Sequence, residues 1–171
     1  MQTILDSFKS ENHLLESNVY QYLLREKVEK ILVACSGGAD SVFTLLLLSA
    51  YQKELGFDLE VAHFNHQWRG ADSEKDAQYV EDLANALGLT YHCASAELDQ
   101  SVKTETKARE TRIDFLRKSA SELGVRVIAF GHQMDDILET QIQRLGRGSS
   151  IEGLIAPRPI HIFENGPTHI R

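Results

Sequence analysis

Short apolar runs alternate with longer mixed stretches along most of this chain. Ile31–Cys35, Leu59–Phe64, Leu89–Cys93 and Val125–Phe130 are nearly continuous in hydrophobic residues. Runs of that length, rich in Val, Ile and Phe and bounded by glycine or polar residues, predict strands buried on both faces. Between them the pattern widens to helical spacing. Helices are predicted from Ser41 to about Glu54, from about Ser73 to Leu87, from about Thr104 to Leu123 and from about Met134 to Leu145. Glycine follows the later three at Gly88, Gly124 and Gly146, as at many helix C-termini. An irregular apolar stripe, Leu14, Val19, Leu23, Leu24 and Val28, adds a helix-like stretch from about Ser10 to Glu29. Repeated strand–helix units predict an α/β fold: a parallel sheet with helices on both faces.

Ligands of such sheets sit at the carboxyl ends of the strands, near the switch in strand order. Three predicted strands run into chemically loaded sequence there: Ser36–Ser41, His63–Arg69 and Gly131–Asp136. In Ser36-Gly37-Gly38-Ala39-Asp40-Ser41, the paired glycines let backbone approach a ligand, and the following helix turns its first N–H groups toward it. Ser36 and Ser41 add hydroxyls. Asp40 cannot bind phosphate itself, so an acid in this cradle implies Mg²⁺ between the two. No lysine completes GxxxxGK[ST], which excludes the loop of γ-phosphate-hydrolysing NTPases. A plain strand-to-helix turn is the bland alternative.

Composition narrows the class. The chain has 171 residues, 42% hydrophobic and 25% charged, enough for one globular domain. Its net charge of −7 argues against nucleic-acid binding by the whole surface, though not by a local basic face. Cys35 and Cys93 form no CxxC, which excludes a zinc ribbon or a disulfide scaffold; two buried thiols fit a reducing cytoplasm. The start lacks a signal-peptide pattern, and Val42–Leu48 is too short to span a bilayer, so a cytoplasmic, non-membrane protein is expected. Pro157, Pro159 and Pro167 make 156–171 an extended or loop-like tail. The expected organisation is a helical segment at 1–29, a nucleotide domain at 30–155 and that tail.

Other clusters admit two readings each. His132 and Asp136 stand at i, i+4, as do Asp135 and Glu139, beside one strand end. They read as a site for a cation or a polyphosphate–Mg²⁺ complex, or as an acidic first helical turn. A zinc site from His132 and Asp136 with His63 and His66 has no cysteine to support it. His63 and Asn65 share one face of a strand tip, to touch a base or ribose or simply to pack. Arg109 and Arg112 face together, on a phosphate-facing surface or on a helix laced by i, i+4 pairs. Arg144 and Arg147 flank glycines at a helix end, to grip phosphate or to complement the helix dipole.

With these residues in view, the chain resembles the PP-loop ATP pyrophosphatase superfamily and, within it, the N-terminal catalytic domain of the tRNA(Ile)-lysidine synthetase family. The resemblance rests on SGG-x-DS at 36–41, His63-x-Asn65-His66 with Arg69, and Ser73-Glu74-x-Asp76. Ala108-Arg109-x-x-Arg112-x-x-Phe115, GH-x-x-DD-x-x-ET at 131–140 and R-G-S-x-x-x-G-L at 147–154 follow in order. It covers about residues 30–159. Gln67-Trp68 departs from a Gly-Leu-like pair in the family, and Gly146 from an apolar residue.

The resemblance implies a Rossmann-like PP-loop fold and a two-step ligase reaction that forms a C–N bond. The wobble cytidine of tRNA(Ile) with a CAU anticodon is adenylated by ATP with loss of diphosphate. L-lysine then displaces AMP. It implies nucleotide binding by Ser36, Gly37, Gly38, Asp40, Ser41, His63 and Asn65, with Mg²⁺ at Asp40 and Asp135. The implied catalytic set is Asp40, His132, Asp136, Glu139, Arg109 and Arg112, the proton-accepting carboxylate being Asp136, Asp135 or Glu139. A homodimer is compatible with it. Family members often carry C-terminal tRNA-gripping domains, so the chain is expected to be part of a longer protein. The rivals are a tRNA thiolase, an NAD or GMP synthetase-like amidating enzyme, and a non-catalytic nucleotide-binding module.

Overall fold

The computed structural model describes residues 5, 7, 14–68, 70–96, 104–131, 142, 146, 148 and 158–171. Helix α1, Ser17–Arg25, opens where the Glu16 carboxylate accepts the Val19 N–H at 2.9 Å. Strand β1 is Lys30–Ala34, α2 is Ala39–Leu55 and β2 is Asp58–Asn65. Helix α3 is Ala71–Leu87, β3 is Thr90–Ser95, α4 is Glu105–Glu122 and β4 is Val127–Phe130. Two short strands follow, β5 at Ile160–His161 and β6 at Thr168–Ile170. Each predicted strand up to Phe130 is present within two residues of its expected limits. The helix expected at 134–145 lies outside the described residues, apart from Ile142.

The sheet runs β3-β2-β1-β4-β6-β5, with every neighbouring pair parallel except β5 with β6. Alternation along the strands splits the core in two. Ile31, Val33 and Val61 pack under α1, α2 and α3 with Val19, Leu23, Leu45, Leu48, Val80 and Ala84. Leu32, Ala62, Ile128 and Phe130 pack on the other face against Leu116 and Ala120 of α4. Ile31 and Leu32 are wholly buried, so truncating either to alanine costs about 2–5 kcal/mol. Helices therefore cover both faces, as predicted. Among the described residues no helix is long and apolar enough to cross a membrane.

Two expectations change. The proline-bearing tail is extended, but it ends inside the sheet: Thr168 donates to the Arg126 carbonyl at 2.8 Å, and β6 then runs buried beside β4. Thr-His-Ile is too short and polar to announce a strand. Cys35 is buried as expected, whereas Cys93 is exposed, because it lies on the edge strand β3. For the site, the decisive feature is that strand order reverses at β1, with β2 on one side and β4 on the other. The β1–α2 connection thus opens at the switch point.

Candidate functional site

Beyond β1 the ladder continues one step, Cys35 donating to the Ala62 carbonyl at 2.9 Å. The chain then turns at Gly37, whose φ of +90° is a left-handed value that a side chain rarely adopts. Gly38 caps α2 in extended geometry. The hydroxyls brace this turn. Ser41 Oγ accepts the Ser36 N–H at 3.1 Å and donates to the Gly38 carbonyl at 2.9 Å, while Ser36 Oγ accepts the Gly38 N–H at 3.3 Å. The two hydroxyls lie 3.1 Å apart. With the serines committed to the loop, the first-turn N–H groups of α2 are its main resource for an anion.

Gly131, just past β4, locks the same loop from the other side. A Cβ there would lie 2.6 Å from the Asp40 carbonyl oxygen and from Ser41 N and Cα. Only a residue without a side chain lets β4 end against the start of α2.

A cavity of about 290 Å³ opens between these strand ends. Ser36, Ser41, His63, Asn65, His66, Trp68, Arg112, Phe130 and Gly131 are on its wall. His63 Nδ1 is 2.9 Å from the Cys35 carbonyl oxygen, which can only accept, so Nδ1 donates that hydrogen bond. Asn65 is buried; it donates to Glu74 at 3.0 Å and accepts the Gln67 N–H at 2.8 Å. His63 and Asn65 thus share the strand-tip face expected of them, and Asn65 also ties the following turn to α3.

Arg112 brings the positive charge. Its Nε is buried without a hydrogen-bond partner. Burial lowers its pKa first, and Arg109 adds to the effect. Burial likewise lowers His66, helped by Arg112 and then His63. Arg171, at the end of β6, is lowered by burial and by Arg109. Among the described residues no carboxylate forms an ion pair with Arg109, Arg112 or Arg171. Asp76 stands on the same wall, so the cavity carries a carboxylate as well as the Arg112 guanidinium. Arg109 is exposed and acts on this wall through its charge.

Asp40 lines a neighbouring cavity of about 260 Å³, mostly apolar, which shares Phe130 and Gly131 with the first. His132, Asp135, Asp136 and Glu139 lie outside the described residues, as do Arg69, Arg144 and Arg147. Among the described residues no three side chains gather as a metal site. One carboxylate such as Asp40 still suits Mg²⁺, which takes most of its oxygens from phosphate and water. Gly131 and Trp68 lie in the stretches Gly131–Asp136 and His63–Arg69 that the sequence marked, without a role of their own, and Arg171 was not singled out. The glycine directly after a strand was the signal for Gly131; for Arg171 there was none.

A family model described as a PP-loop domain matches residues 11–169. The chain is 37% identical over 156 residues to the tRNA(Ile)-lysidine synthase of Dehalococcoides mccartyi, covering 86% of this chain and 33% of that protein. It is 35% identical over 155 residues to the enzyme of the same name from Bacteroides thetaiotaomicron, covering 85% and 35%. The chain therefore spans about a third of the length of these curated relatives. Among solved structures, the U34-tRNA thiolase NcsA from Methanococcus maripaludis with its [4Fe-4S] cluster matches at TM-score 0.63 and 16% identity, over 79% of this chain and 50% of that one. At that identity the likeness concerns the fold.

Proposed function

The chain belongs to the PP-loop domain family, and from that premise we propose that it is the ATP-binding catalytic part of a tRNA(Ile)-lysidine synthase. The observation that carries this reading is the coincidence of two things. The residues that align it with lysidine synthases, at 35–37% identity, include a braced glycine loop at the sheet's switch point. The same cavity presents the guanidinium of Arg112, whose Nε is buried without a hydrogen-bond partner. The thiolase alternative rests on fold likeness alone and lacks the paired cysteines such chemistry often uses.

In the first step the 2-carbonyl oxygen of cytidine attacks the α-phosphorus of ATP, and the bond to the β-phosphate oxygen breaks to release diphosphate. The N–H groups at residues 37–41 hold the departing diphosphate, and Ser36 and Ser41 keep that turn rigid. Arg112 offsets charge that grows on the α-phosphate, where a low-dielectric wall makes a fixed cation most effective. Asp40 and Asp135 would hold Mg²⁺, which would neutralise charge on the phosphate oxygens. In the second step the ε-amine of lysine adds at C2 of the base and AMP leaves. The amine is charged near pH 7 and must lose a proton. Asp136 takes that proton, with Glu139 beside it, and His132 contacts the activated base or its phosphate. The setting is the cytoplasm.

ATP–diphosphate exchange tests this. Exchange that requires tRNA(Ile) and proceeds without lysine, ammonia or glutamine is the expected result. Asp136→Asn is expected to leave exchange largely intact while stopping lysine transfer. ATP binding without any diphosphate release would replace the enzyme by a binding module, and transfer unaffected by Asp136→Asn would remove that residue from its role.

A further inference from the structure

The end of β2 carries a feature that phosphate binding does not explain. Gln67 has φ of +54°, one of two left-handed non-glycine residues among those described. Such a conformation costs roughly 1–2 kcal/mol for a residue with a Cβ. The strained turn is held in place: Asn65 Oδ1 accepts the Gln67 N–H at 2.8 Å, and Asn65 is itself anchored to Glu74. The Gln67 carboxamide oxygen is buried without a hydrogen-bond partner.

This turn delivers Trp68 to the cavity wall, 46% exposed. Trp68 stands 5.5 Å from the His66 ring, His66 4.8 Å from Phe64, and Phe64 5.7 Å from Phe115 on α4. A continuous row of rings therefore backs the tryptophan from the core side, while much of its own surface stays open. Indole left in water beside a cavity lined by Arg112, His63 and His66 is costly surface with a natural use. Aromatic faces accept any nucleobase by stacking, and this is the usual way proteins hold an unpaired base.

We propose that Trp68 is a stacking shelf for a flat nucleobase at the mouth of the cavity, with Gln67 as the positioning residue that turns it there. The inference rests on the nucleotide-binding reading above and names its base-binding part. The base comes from ATP or from an unpaired RNA nucleotide, and the test separates the two.

Trp68 is the only tryptophan in the chain, so its fluorescence reports on this shelf alone. Three probes are titrated into the protein: ATP, inorganic tripolyphosphate, and an anticodon stem–loop with its wobble cytidine or an abasic residue in its place. Quenching by ATP but not by tripolyphosphate places adenine on the shelf. Quenching by the cytidine stem–loop but not by the abasic one places the RNA base there. Trp68→Ala is expected to weaken that same ligand about 5- to 100-fold and Trp68→Phe much less. Gln67→Gly is expected to reduce the quenching while the melting temperature holds or rises. Ligands that bind by calorimetry yet leave Trp68 emission unchanged would overturn the shelf. So would equal quenching within both pairs, tripolyphosphate with ATP and the cytidine with the abasic stem–loop. Failure of both ATP and tripolyphosphate to bind would instead overturn the phosphate cradle, leaving the stem–loop pair to decide the shelf.

Discussion

The two ends of this sheet carry cavities of similar size and opposite character. At the amino ends of the strands, a cavity of about 270 Å³ is bordered by Val28, Glu29, Lys30, Asp58, Leu123, Gly124 and Arg126. Lys30, on that border, is paired within the protein. Glu60, nearly buried, receives Lys30 Nζ and His92 Nε2 at 2.6 Å each. At the carboxyl ends, around the cavity of about 290 Å³, Arg112 Nε and the Gln67 carboxamide oxygen are buried without partners. The backbone is strained at Gln67 and pinched at Gly131. Volume does not separate a site from a surface dent here; unspent polarity does. The cavity at the carboxyl ends is lined by Arg112, whose Nε is unpaired, and among the described residues none bordering the amino-end cavity has such an atom.

The largest expected effect comes from closing the pinch. Gly131→Ala forces a Cβ into backbone at 2.6 Å, so overpacking is expected to lower the melting temperature by about 3–10 °C and to abolish ATP binding. Gly124→Ala, at the opposite end, meets open space and has only its φ of +66° against it. That change is expected to cost about 1 kcal/mol and leave ATP affinity alone. Calorimetric melts and ATP titrations of both variants read the contrast, and equal loss of affinity in the two would dissolve it.

Charge removal gives the next contrast. Among the described residues Arg112 has no ion-pair partner, so with Arg112→Met the melting temperature is expected to hold or rise, while ATP or RNA binding weakens about 10- to 100-fold. Glu60→Gln is expected to do the reverse, losing about 1–3 kcal/mol of stability with binding unchanged. Its pH signature has a definite sign. Burial pushes the Glu60 carboxyl up, but hydrogen bonds from Lys30 and His92 outweigh it and hold the group below its ordinary value. Stability from Glu60 is therefore present above the ordinary carboxylate range and lost as pH falls through the lower folded value. Denaturant melts at pH 7 and below pH 4.5 should show a shallower acid loss in Glu60→Gln than in the parent.

How much of this was legible depends on how local each signal is. The strand–helix alternation could be read because continuous apolar runs and the glycines at 88 and 124 are local features. The turn at Ser36–Ser41 could be read because paired glycines between a strand and a helix are a local device. His63 and Asn65 followed from strand alternation. Strand β6 could not, because three residues owe their place to β4 rather than to their own pattern. That Arg112 reaches the cavity while Arg109 stays outside it is set by how α4 lies on the sheet, and spacing alone put them together. The strain at Gln67 is likewise invisible without the Asn65 and Glu74 tether.

The central claim is that residues 36–41 cradle the departing diphosphate at the sheet's switch point. A crystal structure with a non-hydrolysable ATP analogue and Mg²⁺ tests it most directly. The account predicts β- and γ-phosphate oxygens within hydrogen-bond distance of the N–H groups of residues 37–41, with the α-phosphate toward Arg112. A triphosphate seated in the apolar cavity beside Phe43, or at the amino ends of the strands, with the loop at 36–41 untouched, would contradict it.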